Sequence, residues 1–135
     1  MAGWNVEVAA DLKKSAQVKL DANGLAVVQF SPDHANQRWE VTYIGVTTNQ
    51  NANATLIPYA VPALNTVSLT TMSAGNQRAQ ATWSGNNDAF RGLTDVGPCD
   101  FLSVLFYPPP GQSGAALSGV IASVVITGTK YTKRG

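Results

Sequence analysis

Residues 98–131 read PCDFLSVLFYPPPGQSGAALSGVIASVVITGTKY, and this stretch decides the fold class. Two runs in it, Cys99–Tyr107 and Gly119–Tyr131, are rich in Val, Ile, Phe, Tyr and Thr. Those residues fit a pleated, packed surface, so both runs read as β-strands. The loop PPPGQSGAALS joins them, and the simplest expectation is a long closing hairpin. The second run is apolar on both faces. Val120, Val124 and Ile126 fall on one side, and Ile121 and Val125 on the other. A strand of that kind needs two covers, one from its own fold and one from something else.

Upstream, the segments are short and separated by turn residues. Trp4–Leu12 alternates loosely and is expected as a strand, although AADLKK would also tolerate a short helix. Gln17–Leu20 and Leu25–Ser31 flank Asp21-Ala22-Asn23-Gly24. The Asn-Gly pair supplies the positive-φ positions of a tight hairpin. Ser31–Asn36 is a loop. Arg38–Thr48, RWEVTYIGVTT, is the clearest strand of the first half, with Trp39, Val41 and Tyr43 on one face and Arg38, Glu40 and Thr42 on the other. The apolar pattern then switches parity to Ile44 and Val46, which predicts a bulge near Gly45. After the polar NQNAN come Ala54–Val61 and Asn65–Met72. Pro58 and Pro62 mark the first of these as an edge or irregular segment. Gln77–Trp83 leads into the turn cluster Ser84–Asp88, and Ala89–Gly97 reads as loop with a strand fragment.

No segment holds a 3.6-residue apolar period over three turns. About eight short strands with turns between them specify an all-β, antiparallel β-sandwich or jelly-roll-like domain. The chain of 135 residues is one domain's worth. The expected division is an N-terminal arm or edge strand over 1–16, the sandwich over 17–131 and a basic tail over 132–135.

Composition excludes several functions. Charged residues are 13%, about half the usual share of a soluble domain, and the formal net charge is +1. No strongly basic face exists to hold nucleic acid; Lys130, Lys133 and Arg134 form only a terminal cluster. One cysteine, Cys99, rules out a disulfide within the chain and a Cys-rich metal site. At the head of an apolar strand it is expected to be a small buried hydrophobe. No apolar run approaches a membrane helix, and no leader pattern opens the chain, so synthesis in the cytoplasm without export is expected.

Catalytic patterns are missing from the sequence. The one histidine, His34, lies in the loop SPDHAN, and no nucleophile motif surrounds any Ser. Glu40 faces outward opposite Trp39. Asp95 and Asp100 flank Gly97-Pro98, where a turn explains both. Asn86-Asn87-Asp88 lacks the alternating spacing of a calcium loop. No cofactor, metal or catalytic residue is expected. Asn53-Ala54-Thr55 matches a glycosylation sequon by chance. Among the aromatics, Trp39 and Trp83 are expected in the core. Trp4, Tyr59 and Phe90 are the candidates for an exposed glycan platform. Pro108-Pro109-Pro110 forms a stiff stretch suited to reaching a neighbouring subunit.

The runs RWEVTYIGVTTNQNANATLIPYAV, ATWSGNNDAF, GPCDFLSVLFYPPPG and GVIASVVITGTKY resemble small virion proteins of tailed bacteriophages that infect actinobacteria. The shared features are a tryptophan-led strand (Trp39–Val46), a segment ending in Tyr and a small residue (Ala54–Ala60), the W-S-G-N-N-D turn (Trp83–Asp88) and a final V-x-G-T pattern (Val124–Thr129). The likeness runs from about Gln17 to Tyr131, and the Leu56–Thr71 region and the PPPGQSGAALS loop look expanded. It implies a non-enzymatic virion role as a homo-oligomer, a trimer being one such form. The implied partners are other copies and the major capsid protein or tail proteins. The role implied first is capsid decoration; a tail or host cell-wall carbohydrate-binding role is the alternative. Candidate assembly contacts are Trp4, Pro108, Pro109, Pro110, Ile121 and Val125.

Overall fold

A computed structural model describes residues 6–49, 59–64, 76–77, 87–108 and 113–134. Among these residues eight strands follow in chain order: β1 Glu7–Lys19, β2 Ala26–Phe30, β3 Gln37–Asn49, β4 Tyr59–Leu64, β5 Asn76–Gln77, β6 Asn87–Val96, β7 Leu102–Tyr107 and β8 Ile121–Lys133. They form two four-stranded sheets, the first in the order β1-β8-β3-β6 and the second in the order β2-β7-β4-β5. All pairings are antiparallel. The pairs β1·β8, β2·β7, β3·β6 and β4·β5 nest like one long hairpin that has been rolled up. The added contacts β3·β8 and β4·β7 close the roll, which gives the eight-stranded jelly roll.

The core lies between the sheets. From the first sheet come Leu12, Trp39, Val41, Ile44, Val46, Val96, Ala122, Val124 and Ile126. Val28, Phe30, Leu102, Val104 and Phe106 enter from the second. These are alternate residues along each strand, as the two-residue side-chain period requires, except at the step from Val41 to Ile44 in β3. Val124 and Ile126 lie on the opposite face of β8 from Ile121 and Val125, as the sequence pattern predicts, and it is the former pair that points inward. No helix among the described residues is long and apolar enough to cross a membrane.

Several expectations are corrected. Cys99–Tyr107 and Gly119–Tyr131 do not form a hairpin. β7 lies in the second sheet between β2 and β4, and β8 in the first between β1 and β3. The segment between them crosses the sandwich and carries a 3-10 turn, Gly114–Leu117, that buries Leu117. Asp21–Gly24 is likewise a corner between sheets. Its geometry is local: Asp21 Oδ1 accepts the N–H groups of Asn23 (2.8 Å) and Leu25 (3.0 Å), and Gly24 takes φ +74°. A Cβ at Gly114 would strike the Asn23 carbonyl oxygen, so the corner and the crossing segment pack backbone on backbone.

β1 is a strand throughout, with no helical turn at AADLKK. The region 89–97, expected as loop with a strand fragment, is mostly strand: β6 spans Asn87–Val96. The parity switch in β3 is real, but the register breaks between Val41 and Tyr43, at Thr42 and not at Gly45. Tyr43 is thereby turned to the outer face. Its ring lies over Gly45, where a Cβ would sit 2.7 Å from the Tyr43 hydroxyl. Gly45 is thus the seat of the aromatic ring, and the bulge lies upstream. Opposite the bulge, a Cβ on Gly128 would strike the Glu40 carbonyl oxygen and lie 2.9 Å from Val41 Cα. Cys99 is exposed and heads no strand. It takes φ +68° in the turn that precedes β7, where the Asp100 N–H bonds the Gly97 carbonyl at 3.1 Å.

Candidate assembly surface

The outward face of the first sheet has two unlike ends. Near the start of β8, Ile121 and Val125 point outward and are half-buried. Val125 lies opposite Gly45 of β3 and Ser15 of β1. Tyr43 completes this end, with the Arg91 guanidinium 4.9 Å from its ring centroid. The two aliphatic side chains alternate with Ser123 and Thr127 on β8 and lie among Ser15, Gln17 and Thr47 of the neighbouring strands, so the centre of this end is uncharged and of mixed polarity. The flanking strand supplies Lys13, Gln17 and Lys19 at the rim.

At the far end the same face is charged and closed on itself. Arg38 Nε and Nη2 donate to the two carboxylate oxygens of Glu7 at 2.9 and 3.0 Å, a forked pair. Arg38 Nη1 reaches Glu40 at 3.3 Å, and the guanidinium stacks 4.2 Å above the Tyr131 ring. The Tyr131 hydroxyl donates to the other Glu40 oxygen at 3.0 Å. The hydrogen bond from Arg38 holds the Glu7 carboxyl below its ordinary range, and the bond to Glu40 pushes the Tyr131 phenol up. The Glu7 carboxylate in turn raises Arg38 further. The quartet ties β1, β3 and β8 together. Beside it lies a cleft of about 420 Å³ lined by Glu7, Ala35, Asn36, Arg38, Pro98 and Lys133. The Arg38 groups that face the cleft are already directed at carboxylates, so it offers packing more than chemistry.

Behind the quartet, the buried Gln37 caps the core. Its Oε1 accepts the Trp39 indole N–H at 2.9 Å and the Asp33 backbone N–H at 3.1 Å, and its Nε2 donates to Thr132 at 3.4 Å. Neither this network nor the quartet is foreseen from the sequence. The one signal was the outward alternation of Arg38 and Glu40. Their partners Glu7 and Tyr131 come from strands whose order the sequence does not disclose.

The anticipated site residues are scattered. Ile121 and Val125 share one face. Pro108 is half-buried, with its ring carbon 3.2 Å from where a Gly114 Cβ would stand, so it packs down on the 3-10 turn. Trp4, Pro109 and Pro110 lie outside the described residues, as does Trp83. Of the proposed platform, Tyr59 is in β4 of the second sheet and Phe90 in β6 of the first. Phe90 is half-buried against the core, its ring over Gly92. No group of three or more His, Cys, Asp or Glu placed to hold a metal occurs among the described residues. Asp95 and Asp100 do not form a pair. Asp95 faces outward opposite Glu40, and Asp100 accepts the Gly97 N–H at 3.2 Å.

No family model and no curated protein sequence matches the chain. Solved structures do. One of turnip yellow mosaic virus is 12% identical with a TM-score of 0.43, covering 96% of this chain and 95% of that chain. A second, of the same virus at 100 K, is 9% identical with a TM-score of 0.39, covering 95% and 94%. Infectious bursal disease virus Gx strain is 11% identical with a TM-score of 0.32, covering 96% of this chain but 37% of that chain. At these identities and scores the likeness adds nothing to the sandwich already described.

Proposed function

We propose that this chain is a non-enzymatic structural protein of a phage virion. In this reading it is a capsid decoration protein that binds the lattice as a homo-oligomer, with a tail position as the alternative. The observation that carries the reading is the outward row Ile121–Val125 on β8. It sets two aliphatic side chains, one on either side of Ser123, on the outside of a sandwich whose inner face already holds the core. A surface of this kind suits burial against a neighbour. The resemblance of the sequence to small actinobacteriophage virion proteins supports it, as does the low charge. The jelly roll serves capsid proteins but also lectins and cupins, so the surface, not the fold, bears the weight. Repetition in a symmetric shell would let modest contacts accumulate.

The test is co-sedimentation of the purified protein with expanded capsids, and separately with tails, of the phage that encodes it. The wild-type protein is expected to pellet with capsids. Val125→Glu should stay in the supernatant while keeping its far-UV circular dichroism. A protein that pellets with neither particle, or that is retained by host cell wall in their place, defeats the proposal.

A further inference from the structure

β1 is a thirteen-residue strand at the edge of the first sheet, and no described strand pairs with its outer side. An edge of that length is a template for pairing unless it is guarded. The alternation of its backbone groups can be read from its two ends. The Val6 carbonyl accepts the Arg134 N–H at 2.8 Å, and the Leu20 N–H reaches the Val120 carbonyl at 2.9 Å. The register between these points is unbroken. Even-numbered residues therefore bond β8. The N–H and C=O groups of the odd-numbered residues, Glu7 through Lys19, are directed at the open side.

The side chains of those odd residues carry opposite charges at neighbouring positions, Asp11 and Lys13. Inner-face residues Val6 and Val8 are 47% and 40% exposed, among the few large apolar side chains left uncovered within the described residues. We infer that β1 is a self-pairing edge: two copies join antiparallel about a two-fold axis through Leu12, extending the first sheet across both. This register sets odd residues against odd residues, as their outward backbone groups require. Asp11 of each copy faces Lys13 of the other, Ala9 faces Ser15, and Glu7 faces Gln17. On the inner side, Val8 meets Ala16 and Val6 meets Val18, which covers the exposed valines. A slip by two residues opposes Asp11 to Asp11 in one direction and Lys13 to Lys13 in the other. The charges thus select one register and deter unrelated strands. Lys14 takes no part in the pairing, because it is engaged with Asp33 at 3.1 Å.

The inference deepens the self-association in the assembly reading, and the two fail separately. A dimer that ignores capsids keeps the edge and defeats the virion role, whereas a capsid-binding monomer does the opposite. The experiment is sedimentation velocity with the intact chain of 14.2 kDa. The wild type is expected at twice that mass. Asp11→Lys and Lys13→Asp should each fall to the single mass, and the double variant Asp11→Lys/Lys13→Asp should return to the doubled one. A wild type that stays single at about 100 µM, or an oligomer indifferent to either reversal, overturns the inference. If a reversal disturbs folding, copies carrying Asp11→Cys are mixed with copies carrying Lys13→Cys, both with Cys99→Ser. Opposed residues of a hydrogen-bonded antiparallel pair stand about 5.5 Å apart at Cα, within disulfide reach. Oxidation should link the two kinds of copy; no linked species also overturns it.

Discussion

Gly128, like Gly114, is a position where facing backbone leaves no room for a side chain. The bulge at Thr42 pushes the β3 backbone toward β8, and the missing side chain of Gly128 is what admits it. A Cβ there meets main-chain atoms, which cannot swing aside as the end of a long side chain would. Gly128→Ala should therefore destabilise the protein by about 1–3 kcal/mol, the range for overpacking. Thermal or urea denaturation checks this, and an unchanged midpoint would refute the assigned contact. Single residues were unevenly legible. The inward Trp39 and outward Glu40 follow from simple alternation. The parity switch from Val41 to Ile44 was also visible, but alternation shows only that a residue is extra, not which one. Gly45 was the natural suspect because glycine marks bulges. In the folded chain it is taken up by the Tyr43 ring, and the threonine three positions earlier carries the break.

Among the elements, β1 is an edge strand whose one sheet neighbour among the described residues is β8. Its first residues are held by the Glu7–Arg38 fork, and this attachment depends on pH. Glu7 titrates lower in the folded protein than free in water, because Arg38 donates to its charged form. Its contribution is then complete above the ordinary glutamate value, about 4.3. It is lost as pH falls through the lowered folded value. The melting temperature of the wild type should drop over that acidic window. Glu7→Gln should show less of that drop and be less stable than wild type at neutral pH. Melting curves from pH 7 to 2 test this, and parallel pH profiles would exclude the assignment. Composition made β3, β7 and β8 legible as strands. It hid β6, whose Arg91, Gly92 and Asp95 look like loop; its exposed outer side, with Leu93 at 62% exposure, removes the apolar run that marks its neighbours.

At the scale of the whole molecule, β-composition and turn spacing lead to a sandwich, but pairing was not readable. An Asn-Gly turn can close a hairpin or round a corner, and nothing local separates the two. The same holds for PPPGQSGAALS. The jelly roll arises because most of these connections cross between sheets, leaving strands far apart in sequence as neighbours. Glu7 lies opposite Lys133 and Gln37 opposite Thr132. Folds built on such distant pairings are slow, in the millisecond-to-second range. Stopped-flow refolding followed by tryptophan fluorescence should fall there, and a complete sub-millisecond phase would contradict the topology. β8 sits between β1 and β3 and is the shared neighbour of both. On the ribosome, β1 is made first and stays single until β8 emerges roughly one hundred residues later. At about 5–20 residues per second, that is a wait of about 5–20 s. The nascent chain thus carries an unmatched, alternating strand through nearly all of its synthesis.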